Sequence, residues 1–135
     1  MLAPLFDAYR VFYKQPSDPA GALEFLKSRM ASNDSLIFLA VTDGKGAGFV
    51  QLYFTFSSVS MEKSLILNDL FVAGPFRKKG IGEALLRHAQ AHCQDFQYKG
   101  LALETGTDNP AQKLYERLGW VRDSHCFHYF WKAGK

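Results

Sequence analysis

Between Leu65 and about Phe96 the chain runs from an apolar stretch through Gly74-Pro75 and Arg77-Lys78-Lys79-Gly80-Ile81-Gly82 into a second apolar periodicity. That order reads as a strand, a basic glycine-containing turn and a helix that begins inside the turn. Glycines let backbone approach a ligand closely, and the first amides of a helix are unpaired donors carrying partial positive charge. The segment is therefore suited to holding a pyrophosphate. Charge-assisted hydrogen bonds of about 1.5 to 3 kcal/mol each outweigh a helix-dipole contribution of about 0.3 to 1 kcal/mol, so backbone amides matter more here than lysine charge. Taken alone, the hexapeptide also fits a plain solvated turn.

Two common phosphate-binding patterns do not match. A dinucleotide site wants G-x-G-x-x-G closing a tight strand-to-helix turn, whereas this chain has a long basic turn before Gly80-Ile81-Gly82-Glu83-Ala84-Leu85. A loop ending in Gly-Lys-Ser/Thr is missing, and Gly44-Lys45-Gly46 is better explained as a hairpin tip.

The flanking sequence supplies the rest of an α/β domain. Leu2, Leu5, Phe6, Tyr9, Phe12 and Tyr13 recur at helical spacing, giving a first helix at the start of the chain. Asp18-Pro19 caps a second helix with Leu23, Leu26 and Met30 on its apolar stripe, ending near Ser32-Asn33-Asp34. Leu36–Val41 and Ala47–Phe56 read as an antiparallel pair around Thr42-Asp43-Gly44-Lys45-Gly46, followed by a loop from Ser57 to Lys63. Leu65–Val72 is the next strand. A helix from about Gly80 to Phe96 follows, with Ile81, Leu85, Ala89, Cys93 and Phe96 on one side, then a strand at Leu101–Thr105. A last helix spans roughly Pro110–Leu118, stopped by Gly119, and a closing strand runs from Cys126 to Trp131.

With 135 residues, 47% of them hydrophobic and twelve of them Phe, the chain is expected to form one domain, 1–135, around one packed core. Sixteen basic and 13 acidic residues leave a formal charge of +3, compatible with an anionic ligand and too weak, without a concentrated stripe, to argue for nucleic acid. Cys93 and Cys126 fall short of a disulfide framework, and no signal-like or membrane-spanning apolar run is present. A cytoplasmic setting with no membrane partner is the expectation.

Two motifs in order carry a family resemblance. Leu67-Asn68-Asp69-Leu70-Phe71-Val72 followed by Arg77-Lys78-Lys79-Gly80-Ile81-Gly82 resembles the acetyl-CoA motif of the GCN5-related N-acetyltransferase (GNAT) superfamily, a strand followed by Gln/Arg-x-x-Gly-x-Gly/Ala. Ala111-Gln112-Lys113-Leu114-Tyr115-Glu116-Arg117-Leu118-Gly119-Trp120 matches the second, Ala-x-x-Leu-Tyr-x-x-x-Gly-Phe/Trp. With the two helices and the hairpin in front, the likeness covers nearly the whole chain. It implies a GNAT fold of the α/β (α+β) class: a central mixed, mostly antiparallel sheet flanked by helices. It also implies that acetyl-CoA is the co-substrate and that no metal is needed. By the same resemblance, backbone at Leu70, Phe71 and Val72 pairs with the pantetheine arm like an added strand. Amides around Arg77, Lys78, Lys79, Gly80, Ile81, Gly82 and Glu83 meet the pyrophosphate, and Tyr115 protonates the departing thiolate. The plain reading of Tyr115 is a core aromatic beside Leu114 and Leu118.

Three departures qualify the match. Many members carry Glu where this chain has Asn68, and Asn cannot ionise or act as a base. Asp69 points to the opposite face from Asn68 in a regular strand and reads as structural, and Glu104 is the other candidate base. Asp108 stands where the family usually has Asn, with Asn109 next to it; either is a helix cap, and Asn109 is also a candidate pantetheine contact. The usual first strand has no room ahead of Leu2-Ala3-Pro4, so the sheet lacks it or a neighbouring subunit covers the exposed edge, as in a homodimer.

His88, His92, Cys93, His125, Cys126 and His128 lack compact metal-ligand spacing, and helix-face or core roles suffice. The aromatics between Tyr53 and Phe56 and at Phe127, Tyr129, Phe130 and Trp131 are read mostly as core, with some available to wall the acceptor pocket. The function these features imply is direct transfer of acetyl to a primary amine, either a small polyamine-like amine or a lysine side chain. The likeness of Leu2–Tyr13 and Asn68–Val72 to polyamine- and histone-type members favours those acceptors. The missing Glu motivates the alternative, a non-catalytic acyl-CoA-binding module.

Overall fold

The computed structural model describes residues 1–134. Met1–Glu104 forms one compact unit and the residues from Thr105 onward a second. In the first, the order is α1 (Leu2–Phe12), α2 (Pro19–Ser32), β1 (Ser35–Thr42), β2 (Lys45–Ser57), β3 (Glu62–Val72), a 3-10 turn at Gly74–Phe76, α3 (Ile81–Asp95) and β4 (Leu101–Ala102). The strands form one sheet in the order β1-β2-β3-β4. β1, β2 and β3 run antiparallel, and β4 joins β3 in parallel, as a strand reached through a helical crossover must.

Local chemistry accounts for the boundaries. The Asp18 carboxylate accepts the Gly21 N–H at 3.0 Å, and a Cβ on Gly21 would stand 2.3 Å from that carboxylate, so glycine is what lets the cap close. Asp43 (φ 51°) and Gly44 (φ 74°) both adopt left-handed backbone, the two-residue turn whose twist suits a hairpin.

Pairing register assigns the faces. Phe49 packs with Leu5, Phe6, Ala22 and Leu26 of α1 and α2, so its face of β2 is covered by those helices. Phe38 lies opposite Val50 and its ring meets His88 of α3 at 4.5 Å, so Val50 and, by alternation, Leu52 face α3. Both faces of β2 are thus buried from Ala47 to Leu52, including Gln51. Among the described residues α1 is the first element.

Several boundaries differ from expectation. β2 and β3 extend toward each other, leaving a short link in place of the loop expected from Ser57 to Lys63. Leu101–Thr105 contracts to Leu101–Ala102, because only Leu65 and Ile66 lie opposite it. In the second unit the last helix is α4 (Gln112–Arg117), shorter than Pro110–Leu118. The expected strand at Cys126–Trp131 is not formed: among the described residues no strand pairs with it, and Phe127, Tyr129, Phe130 and Trp131 are exposed where core aromatics were expected. An aromatic-rich segment suits a strand, but a partner edge is also required. Leu23, Met30 and Phe96 are exposed as well, so the buried stripe of α2 is Ala22 and Leu26.

Candidate active site

The first half of the site is the strand–turn–helix at β3 and α3. β3 meets β4 only at Leu65 and Ile66, so from Leu67 to Val72 its outer edge has no strand partner among the described residues. An extended arm can add to such an edge through main-chain hydrogen bonds. The turn that follows bends through left-handed backbone at Lys78 (φ 63°) and Gly80 (φ 79°), and α3 begins at Ile81 with no side chain capping it. No side-chain cap takes its first amides, which a helix cannot satisfy internally. A Cβ on Gly82 would meet only Val72 at 3.8 Å, and one on Gly80 would meet nothing within 4 Å. Packing does not demand glycine at 82, and the missing side chains there and at Gly80 leave the backbone open to close approach.

The basic side chains serve structure as well as charge. Arg77 Nε donates to the Val72 carbonyl at 2.8 Å, and its guanidinium lies 5.2 Å from the Phe12 ring and 5.6 Å from Phe71. It therefore ties the end of α1 to the end of β3. Lys79 stands 6.0 Å over Phe76. Glu83 accepts from Arg87 at 3.0 Å, one turn along α3. Thus Leu70, Phe71, Val72 and Arg77–Glu83 are brought together by one continuous stretch of backbone.

The second half is a polar cluster on the face covered by α1 and α2. Asp69 pairs with Gln51 while Leu67 pairs with Leu52, leaving Asn68 as the extra residue of a bulge. The bulge turns Asp69 to the face of Phe49 and Phe71, and Leu67 to the α3 face. Asp69 is only 5% exposed. Its carboxylate accepts from Gln51 Nε2 at 2.7 Å, from Asn68 Nδ2 at 3.1 Å and from the Tyr9 hydroxyl, and Ser35 Oγ donates to Gln51 Oε1 at 3.0 Å. Burial and the Asp69 carboxylate push the phenols of Tyr9 and Tyr53 above their ordinary value, so both stay protonated donors. Sequence reasoning missed Tyr9, Gln51 and Ser35 as parts of a site, and took Tyr53 only as one of a group of aromatics of which some wall an acceptor pocket. The one available signal was Gln51, a polar residue between Val50 and Leu52.

A profile of the acetyltransferase (GNAT) family matches residues 2–120. The chain belongs to that family. An uncharacterized N-acetyltransferase of Bacillus subtilis (strain 168), YhfO, is 46% identical over 129 residues, covering 95% of this chain and 87% of the relative. A probable acetyltransferase of Haemophilus influenzae is 35% identical over 129 residues, covering 86% and 88%. The crystal structure of a probable acetyltransferase superposes with a TM-score of 0.92 at 36% identity, covering 99% of this chain and 91% of that one. The protein is thus a GNAT N-acetyltransferase, and acetyl-CoA is the family's co-substrate. The open β3 edge and uncapped α3 start fit that molecule.

The remaining expected residues of this GNAT protein follow the end of β4 in the chain. Glu104 is exposed and lies two residues past the end of β4. Within the second unit, Asn109 Oδ1 accepts from the Ala111 N–H at 2.9 Å and its Nδ2 donates to Thr105 Oγ1 at 2.9 Å; this closes a local turn ahead of α4, whose N-cap is Ala111 with no side-chain cap, so the expected capping by Asn109 is not made. Tyr115 is half-buried, its ring 5.9 Å from Trp120, and its carbonyl accepts from the Trp120 N–H at 3.0 Å. Among the described residues no three His, Cys, Asp or Glu side chains gather as a metal site, and no helix is long and apolar enough to cross a membrane. His88 and His92 pack on Phe38, and burial pushes the Cys93 thiol up.

Proposed function

We propose that this enzyme transfers acetyl from acetyl-CoA directly to a primary amine, either a small polyamine-like amine or a lysine side chain, without a covalent enzyme intermediate. The observation that carries the reading is the unpaired outer edge of β3 running straight into an uncapped, glycine-containing helix start. In this reading the amides from Lys78 to Glu83 bind pyrophosphate, and the backbone of Leu70–Val72 aligns the pantetheine. The bound co-substrate supplies an activated thioester carbonyl. The chain's part is to hold the amine against it and to supply a proton to the leaving sulfur, the role read for Tyr115. An amine with a pKa near 10 must also lose a proton before attack, and positioned proton transfer is worth roughly 10² to 10⁴-fold. Asn68 cannot take that proton, whereas Asp69 and Glu104 are carboxylates that can.

The test is acetyl-CoA-dependent thiol release across polyamines, amino acids, aminoglycosides and lysine peptides. Release with a polyamine or a lysine peptide is the expected result. Tight acetyl-CoA binding with no release against any of them would overturn the reading.

A further inference from the structure

We propose that Arg77 is a positioning residue: its guanidinium fixes the end of α1 against the turn read to hold acetyl-CoA, and through α1 it sets Tyr9 on Asp69. This rests on reading the chain as an amine acetyltransferase with Asp69 as a candidate base, and adds what keeps that carboxylate's surroundings in register with the co-substrate turn.

The guanidinium is engaged by the protein itself. Its Nε donates to the Val72 carbonyl at 2.8 Å, and its Cζ lies 5.2 Å from the centre of the Phe12 ring and 5.6 Å from that of Phe71. The two rings are 6.1 Å apart. The Arg77 N–H is taken as well, by the Gly74 carbonyl at 3.3 Å. A planar guanidinium donates along its edge while its face rests on an aromatic ring, and a lysine ammonium has no such plane. Arg77 thereby braces the turn three residues before Gly80, and its side chain reaches back to α1 instead of forward to α3.

The contact falls where α1 most needs one. Phe12 is the last residue of the helix, and Lys14 leaves it through left-handed backbone at φ 65°. Phe12 is 58% exposed, so burial does little to hold this last turn, and a cation over its ring supplies what burial does not. Tyr9 stands one turn earlier on the same side of α1. Its ring meets Phe71 at 5.8 Å and Phe49 at 5.6 Å, and its hydroxyl donates to Asp69. Phe71 therefore touches Arg77, Phe12 and Tyr9 together, two residues along β3 from Asp69 and on the same face. A helical turn moves as a unit, so a displacement of Phe12 carries Tyr9 with it and loosens the donor on Asp69.

The experiment compares Arg77→Lys, which keeps the charge and loses the plane, and Phe12→Leu with the parent chain. Both side chains are exposed, so the core of Leu5, Phe6 and Phe49 is kept. The first readout is tyrosine ¹³Cζ NMR titrated to about pH 11. Tyr9 should stay protonated throughout in the parent chain and begin to ionise at lower pH in each variant. The second is kinetic. With any amine that turns over, the amine kcat/KM should fall about tenfold in each variant and no further in the double variant. Acetyl-CoA affinity by calorimetry should stay within about twofold, with its salt dependence unchanged. A fall in acetyl-CoA affinity in Arg77→Lys with Phe12→Leu equal to the parent chain would overturn the proposal and make Arg77 a phosphate ligand. A Tyr9 titration unmoved in both variants would overturn it too. Tyr9 shifted in both, with no amine releasing thiol, would keep the link from Arg77 to Tyr9 and reject acetyl transfer to amines.

Discussion

Gln51 Nε2 donates a 2.7 Å hydrogen bond to the Asp69 carboxylate across the β2–β3 pair, inside a sheet covered on both faces. Gln51 has no exposed surface, and its Oε1 is in turn fixed by Ser35. Replacing it by Leu removes a hydrogen bond to a charged group and leaves a buried carboxylate oxygen short of a donor. We expect Gln51→Leu to lose about 2 to 3 kcal/mol of stability. In urea unfolding this is a lower midpoint at an unchanged slope.

Tyr9 lends the same carboxylate its hydroxyl. Burial, then the hydrogen bond and charge of Asp69, raise its pKa above the ordinary 10.0. The folded protein therefore holds this proton more tightly than the unfolded chain does. Its stabilising contribution is complete below pH 10 and is lost as pH rises above it. Tyr53 shifts in the same direction, chiefly through burial. Thermal unfolding measured from pH 8 to 11 should show stability falling above about pH 10, and Tyr9→Phe should flatten that fall in part.

Gly82 separates fold from cofactor binding. A side chain there has room, and an acidic residue in the first turn of α3 is favoured by the helix dipole. Gly82→Glu should therefore keep or slightly raise the melting temperature. It also puts a negative charge where pyrophosphate is read to bind, and acetyl-CoA affinity by calorimetry should fall by more than about tenfold.

Tyr115→Phe removes only the phenolic oxygen and keeps the ring that meets Trp120. If that oxygen protonates the leaving thiolate, turnover should drop by roughly 10²-fold with acetyl-CoA affinity nearly intact. Unchanged turnover would remove Tyr115 from the mechanism.

Features written in short spans of sequence could be read along the chain. α1 follows from the spacing of Leu2, Leu5, Phe6 and Tyr9, α2 from Asp18-Pro19, the first hairpin from Asp43-Gly44, and the strand–turn–helix from Leu65 onward. Each rests on interactions a few residues apart, so periodicity and turn chemistry suffice. The family likewise rests on two contiguous motifs.

Pairing across the sheet was not legible in that way. Asn68-Asp69 read as an interruption of an apolar strand, and only the register with Gln51 and Leu52 makes Asn68 the bulge that turns Asp69 inward under α1. Tyr9 and Asp69 are 60 positions apart in sequence, and nothing local to either predicts their contact. The closing strand expected at Cys126–Trp131 did not form, and β4 kept two of its expected residues. A side chain's period is a property of its own segment, whereas a strand's partner and the face it buries depend on backbone brought in from elsewhere.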